Sequence, residues 1–439
     1  MAEGKQVELV LNGDVFDFDS VCRTPPNPSF RVSQLEMTYG LKTEERKSAY
    51  KIDVIMEDHK EFAQGLTEFL KNGHRLVFII GNHDLELHWE EVQKSIRRHI
   101  DPEQAYENQI RFCEFFYISN EDTLIEHGHQ YDPYCKASNP VFPFILRYNR
   151  VEIKIPFGNL ATRYMINAMG FFNPYVESNY IMSAKEYVGF FLKYIIRAQP
   201  FLIFSWLYGA SLVLFNSVRD EFATVFRDPL LVERKVAEIA DKSNAKPRMV
   251  RELMNLSVPS AAKRPWLLAR ELWLDRAFIF LLGLLIVLQV ILIVKQLTDI
   301  SLFWAVIPIL IFAPFFIFYS RTVQSQVGSF KEPQERLLSL AAMVTGTQRI
   351  VHGHTHIVRH EHIGPIEHLN SGTWSPAFKN VNCTIAEDQK TAIWIYRENP
   401  DEPRRAKVLQ FKNMSLQKFF KAPKERPASN TKPVLESTK

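Results

Sequence analysis

The chain has 439 residues, enough for a core of ordinary size and something more, with 46% apolar residues and a net charge of only +4. That charge gives no ground for a nucleic-acid binder. The four scattered cysteines, Cys22, Cys113, Cys135 and Cys383, form no C-x-x-C and point to a reducing compartment rather than a disulfide framework. Met1 to Lys5 carry no visible signal peptide and lead into a strand, Val7–Leu11, that ends in Asn12-Gly13-Asp14-Val15-Phe16-Asp17. Residues 20–43, with Pro25-Pro26-Asn27-Pro28, read as a loop. Glu44–Asn72 reads as one helix, with Ile52, Ile55, Met56, Phe62, Leu66, Phe69 and Leu70 near helical spacing and Gly73 as the stop. The β-branched apolar run Leu76–Ile80 predicts a buried strand that ends in Gly81-Asn82-His83-Asp84. Ligands of open α/β sheets bind at such carboxyl ends. Trp89–His99 reads as a short helix. Ile110–Ile118 and Thr123–Glu126 read as strands, the second running into His127-Gly128-His129-Gln130-Tyr131-Asp132.

The character changes after Pro133. Residues 141–200 are aromatic, with scattered Lys and Arg and no clear core period, and the chain's 33 phenylalanines concentrate between Phe142 and Phe330. Three runs lack charge: Phe201–Val218, Ala277–Val294 and Leu302–Tyr319. A bilayer-crossing helix needs about 20 largely apolar residues. The last two runs, separated by Lys295–Ser301, read as a transmembrane hairpin of helices 277–294 and 302–319, against the alternative of a buried helical pair. From Arg336 the globular pattern resumes, with Arg349-Ile350-Val351 leading into His352-Gly353-His354-Thr355-His356, then Asn370-Ser371-Gly372-Thr373-Trp374 and a strand, Thr391–Tyr396. The tail after Pro400 reads as disordered and basic, with a patch, Leu416–Lys421, suited to anionic lipid. The expected division is a domain split between 1–140 and 326–400, a membrane-associated helical insert at 141–325, and a tail at 401–439.

Four strand ends thus present Asp14, Asn82-His83-Asp84, His127 and His354-x-His356. A lone Asn-His-Asp is as readily a polar turn. Carboxylate, amide and imidazole converging from several strand ends suit Mn²⁺, Fe or Zn²⁺, and two ions ~3.5–4 Å apart clamp a phosphoryl substrate. Gly13-Asp14-x-x-Asp17, Gly81-Asn82-His83-Asp84, His127-Gly128-His129 and Gly353-His354-Thr355-His356 together resemble the calcineurin-like metallophosphoesterase superfamily, over roughly residues 5–135 and 335–398. The resemblance implies an α/β fold, a metallophosphoesterase-type β-sandwich flanked by helices, here with an inserted α-helical membrane segment. It also implies two divalent metal ions, Mn²⁺ first and Fe or Zn²⁺ as alternatives, and hydrolysis of a phosphate ester or pyrophosphate. By matching position, Asp14 would bridge the metals, Asn82, His127 and His354 would complete one site, and His356 would serve the other. His83 would protonate the leaving oxygen, with Asp84 orienting its ring, while hydroxide attacks phosphorus in line. Asp17, His129 and Asp132 would support the ligands or face substrate, and the choice between His127 and His129 as ligand stays open.

The family opens with a strand ending in Asp-x-His, which this sequence lacks, leaving the His356 metal short of ligands. Three explanations compete: a start at an internal methionine, which is favoured, a one-metal enzyme, or a non-catalytic relative. Because the motifs flank the apolar runs, an even number of crossings must separate His127 from His354: two, or four with a span around residues 186–200. In the two-crossing case Phe201–Val218 lies in the interface or packs against the pair. Lys263, Arg264, Arg270, Arg276 and Arg321 outweigh Lys295, so the catalytic domain of this multi-pass protein is expected in the cytoplasm. A site held at the bilayer suggests a phosphorylated or lipid-linked substrate. Phe142, Phe144, Tyr148, Phe157, Phe171 and Phe172 would line a groove for acyl chains or serve only as interfacial anchors. The alternatives are a phosphodiesterase for soluble nucleotides, a nuclease, which the lack of a basic aromatic groove disfavours, or a membrane scaffold with an incomplete metal pocket.

Overall fold

The computed structural model describes residues 4–167, 202–225, 229–297, 304, 306–323, 327, 332–375, 390–412, 415–418 and 424–425. Strands β1 (Glu8–Asn12), β2 (Arg75–Ile79) and β3 (Ile110–Cys113) form a parallel sheet in that order. Parallel pairing requires crossovers. Helices Glu45–Asp58 and Lys60–Lys71 supply the first and Glu90–Ile100 the second. Alternation along β2 sorts its side chains: Leu76 and Phe78 meet Ile52, Met56, Leu66, Leu70, Val92 and Ile96 of these helices, while Val77 and Ile79 face the other way.

β4 (Phe116–Ser119) pairs antiparallel with β5 (Thr123–Glu126). A hairpin, β6 (Phe144–Arg147) and β7 (Arg150–Ile153), with β8 (Thr224–Val225), makes a small separate sheet. β9 (Arg349–His352) then lies parallel to β5 and to β11 (Ile366–Asn370), which pairs antiparallel with β10 (Arg359–Ile363). Ile125, Val351 and Leu369 of this second sheet close on Val77 and Ile79 of the first. Its opposite face, through Leu124 and Ile350, is covered by Val236 and Ile239, Val250 and Leu253, and Leu338 and Ala341, from helices Pro229–Lys242, Pro247–Asn255 and Glu335–Thr345. The order of layers is helices, sheet, sheet, helices.

Several sequence expectations need correction. The helix expected over 44–72 is two helices, broken at His59 (φ −118°, ψ 49°). The loop over 20–43 contains a helix, Gln34–Tyr39, opened by a capping box in which Ser33 and Glu36 satisfy each other's backbone donors. The strand expected over 110–118 divides between two sheets. At the break Glu114 is buried against Lys235 (3.1 Å) and Lys242 (2.9 Å). The insert is not wholly membrane-associated, because its 229–255 helices carry apolar stripes that cover the second sheet. The tail does not leave the domain at residue 400. β12 (Thr391–Tyr396) pairs antiparallel with β13 (Arg405–Lys412), which pairs with β14 (Ser415–Lys418). Arg404 anchors this return by ion-pairing with Asp122 and donating to the Ser119 carbonyl (2.7 Å). Arg404→Ala should lower stability by about 1.5–3 kcal/mol, read as a shifted urea midpoint.

Among the described residues, one helix, Leu274–Leu297, is long and apolar enough to cross a membrane, and only 11% of its most apolar window is buried. Val306–Thr322 is apolar but shorter, 17 residues with Pro314 inside. The two lie antiparallel. Tyr319 donates to Asp275 (2.8 Å), Arg276 donates to the Val323 carbonyl (2.7 Å), and the Phe280 and Phe316 rings are 5.5 Å apart. Where they touch, a Cβ on Gly283 would lie 2.2 Å from the Phe312 ring. The run expected at 201–218 is a helix, Leu202–Glu221, that packs Ala210 and Val213 into the first sheet's helical core while Phe204, Tyr208 and Phe215 stay exposed. Phe171, Phe172, the 186–200 stretch and the side chains of Leu416–Lys421 lie outside the described residues.

One buried cluster predicts acid sensitivity. Glu36 accepts hydrogen bonds from Ser33, the Lys42 backbone and Lys47 (2.5 Å). Burial opposes its ionisation, but Lys47 and Ser33 outweigh it and hold Glu36 at about 2. Since the folded value lies below the unfolded one, this stabilisation is present above pH ~4.3 and is lost as pH falls toward 2. Glu36→Gln should be less stable at pH 7, and the gap to the parent in urea titrations should close by pH 2.

Candidate metal centre

Close backbone approach builds the site. Gly13 (φ +73°) turns the chain after β1, and a Cβ there would lie 2.4 Å from His127 Nδ1. At Gly81, after β2, a Cβ would lie 2.3 Å from Asp14 Oδ1, so larger residues would push two strand ends apart. Asp14 (φ 52°), His354 (φ 60°) and His356 (φ 59°) all adopt left-handed conformations. Such strain costs about 1–3 kcal/mol per residue and clusters where side chains must be aimed.

Asp14, His127 and His354 each bring a ligand atom to within 4.8 Å of the others. The His127 ring is buried, and its Nδ1 lies 2.8 Å from the Asn12 carbonyl, which accepts the ring proton and fixes the tautomer. That leaves Nε2 as an acceptor 2.9 Å from Asp14 Oδ2, without the alignment of a hydrogen bond. In the neutral ring two lone pairs would face each other here. Burial pulls His127 down but Asp14 outweighs it and raises it, so a second ring proton fills this gap, the place a divalent cation would take. His354 Nε2 lies 3.1 Å from Asp132 Oδ2, the carboxylate–imidazole pairing common behind metal ligands. Asn82 is buried, its Oδ1 unpartnered and its Nδ2 3.4 Å from Asn159 Oδ1. Burial resists charge on Asp14, but His127 and His83 outweigh it and hold the carboxyl well below its ordinary range.

His83 donates its backbone N–H to Asp14 Oδ1 (2.8 Å), and its ring Nδ1 lies 3.2 Å from Asp17 Oδ1. Burial pulls His83 down, yet Asp14 and Asp17 prevail and raise it to about 10. The partner expected for this ring, Asp84, is elsewhere. Its carboxylate accepts from the backbone N–H groups of Gly81 (2.5 Å) and Val15 (2.8 Å), tying the turns after β2 and β1 together. Asp84 is thus a backbone clamp, raised to about 7 by burial and by Asp14, and Asp17 orients His83. Asp17, Asp19 and His83 form a second group with metal-ligand spacing.

His356 lies within electrostatic reach of Asp14, and burial pulls it down to about 4, but it is outside the Asp14–His127–His354 group. His129 is also outside it. Its ring centroid is 5.5 Å from that of His127, and its Nε2 contacts Gln130, so His127 is the residue at Asp14. Sequence reasoning missed Asn159 and Arg163. They lie in the helix Phe157–Ala161 and the π turn Thr162–Ile166 that continues it, inside a stretch read as membrane insert. Asn159 donates to the Asn82 carbonyl (2.9 Å) and to Asp19 (2.6 Å), and Arg163 donates to Asp19 (3.0 Å). Only the tertiary fold brings them to the site, and no motif marks them. Comparison of the chain with protein-family models, curated proteins and solved structures finds no match.

Proposed function

We propose that this chain is a membrane-bound, metal-dependent phosphoesterase with a metallophosphoesterase-type sandwich, hydrolysing a lipid-linked phosphate ester or pyrophosphate. The observation that carries the reading is His127 Nε2 facing Asp14 Oδ2 at 2.9 Å with its other nitrogen committed to a backbone carbonyl. The donor set of carboxylate, two imidazoles and the unpartnered Asn82 amide oxygen suits Mn²⁺, with Fe or Zn²⁺ as alternatives. Asp14, Asn82, His127 and His354 would hold one ion, and Asp14 with His356 would contribute to a second. A divalent metal here supplies Lewis acidity toward a phosphoryl oxygen and lowers the pKa of water. His83, held protonated by Asp14 and Asp17, is suited to neutralise the leaving oxygen, and Asp132 steadies His354.

The two apolar helices are proposed to cross the bilayer as a hairpin, with Arg264, Arg270, Arg276 and Arg321 holding the catalytic side in the cytoplasm. Exposed Phe204, Tyr208, Phe215, Trp266 and Trp273 would then meet the interface and bring lipid substrate to the site. The test is Mn²⁺-dependent hydrolysis by the full chain in detergent micelles, comparing lipid-linked with water-soluble phosphodiesters. Asn82→Ala and His83→Ala should each lower kcat, the latter by about 10²–10⁴-fold. Activity unchanged in both variants would refute the site, and a preference for soluble substrates would refute the lipid assignment.

A further inference from the structure

A second cluster of imidazole and carboxylate lies behind β9, and it shares no residue with the first. His352 and His368, both fully buried, stand on the neighbouring strands β9 and β11, with His352 Nδ1 3.1 Å from His368 Nε2. Each ring has its other nitrogen against a carboxylate: His352 Nε2 is 3.0 Å from Glu126 Oε1, and His368 Nδ1 is 3.1 Å from Glu361 Oε1. Glu126 is itself fixed by the Tyr131 hydroxyl (2.8 Å). The third member is Glu332, whose side chain is 6% exposed. Its Oε1 accepts from Thr355 (2.8 Å), Arg359 (3.0 Å) and Asn370 (3.1 Å). Its Oε2 is buried without a hydrogen bond and aims at His368 Nε2 from 3.8 Å.

With each outer nitrogen donating to its carboxylate, two neutral imidazoles set lone pair against lone pair across 3.1 Å. One added proton would satisfy that line but leaves Glu332 Oε2 without a donor. A buried carboxylate oxygen with no partner is costly. A divalent cation resolves both problems. Carboxylates behind both rings orient them as in carboxylate–histidine–metal triads. At zinc bond lengths of about 2.0–2.2 Å, tetrahedral ligand atoms lie roughly 3.2–3.6 Å apart, so the separations of 3.1 and 3.8 Å need only small shifts. We propose that His352 Nδ1, His368 Nε2 and Glu332 Oε2 form a separate zinc site. Glu332 follows the apolar Val306–Thr322 helix in the chain, so this site would pin the return from the helical hairpin to the two strands beside His354.

The probe is Zn²⁺ alone. Full-length protein in detergent is stripped with chelator, reloaded with Zn²⁺ and desalted, and zinc per chain is measured in the parent, Glu332→Gln, His368→Gln and Asp14→Asn. The expected result is loss of one zinc equivalent in Glu332→Gln and in His368→Gln, and in Asp14→Asn loss of whatever zinc Asp14 holds with the Glu332 equivalent retained, so that Asp14→Asn/Glu332→Gln loses one equivalent more than Asp14→Asn. Glu332→Gln changes one atom in a loop and retains the question if His368→Gln fails to fold. Independently, Zn²⁺ should raise the Tm of Asp14→Asn and leave that of Asp14→Asn/Glu332→Gln unmoved. Parental zinc content in Glu332→Gln, or an equal Zn²⁺ shift in both Asp14→Asn backgrounds, would overturn the site and leave a proton-sharing histidine pair.

Discussion

Asp14→Asn is expected to remove the metal proposed at Asp14, His127 and His354 and to lower the proposed metal-dependent hydrolysis by more than about 100-fold, since even outer partners of metal ligands are worth about 10–100-fold. Asp14 joins the site's parts: its Oδ2 faces His127, its Oδ1 takes the His83 backbone N–H, and its charge holds the His83 ring protonated. Asparagine keeps the shape and removes the charge. His83 should then titrate nearer its ordinary value, and the variant should fold, because Asp84 still ties Gly81 to Val15. Metal analysis and circular dichroism on the same preparation separate loss of metal from loss of fold.

Lys51→Met is expected to cost about 3–5 kcal/mol of stability, the usual consequence of leaving a buried charge without its partner. Lys51 and Glu86 form an ion pair with side chains 0% and 3% exposed, beneath the turn that follows Asp84. Burial pushes Lys51 down and Glu86 up from their ordinary values. Without Lys51, Glu86 must take a proton to remain inside. A carboxyl whose folded pKa is raised stabilises the fold below its unfolded pKa and loses that contribution as pH rises through the folded value. The deficit of the variant should therefore be largest near neutral pH and shrink toward pH 4. Lys51→Met/Glu86→Gln should recover part of the loss, and chemical denaturation across pH checks both statements.

The strands that carry the site were legible because buried parallel strands read as apolar β-branched runs. Leu76–Ile80 and Thr123–Glu126 fall within a residue of the observed elements. The Gln34–Tyr39 helix was legible in principle through Ser33-x-x-Glu36, but the proline-rich approach masked it. The break at Glu114 was not legible. Ile110–Ile118, apolar except for Arg111 and Glu114, looks like one strand, and the lysines that hold Glu114 in place lie far along the chain at 235 and 242. The same applies at the centre. Sequence order brought Asp14, His127 and His354 onto one list by motif, but the partner of His83 depended on where two carboxylates point. Asp84, adjacent in sequence, is taken by backbone donors, and Asp17, from another strand end, faces the ring. Glu332 and His368 carried no motif, and His352 entered only as the start of the stretch that holds His354, because pairing between β9 and β11 sets the two histidines side by side and only the tertiary fold brings Glu332 to them.

The most direct measurement of the central claim is an anomalous difference map from crystals of the full chain equilibrated with Mn²⁺ and recorded at the manganese edge. The account predicts a peak bounded by Asp14, His127 and His354, about 2.0–2.2 Å from His127 Nε2, with the Asn82 oxygen turned toward it. A map without that peak, in which His127 Nε2 instead donates a straight hydrogen bond to Asp14, would contradict it.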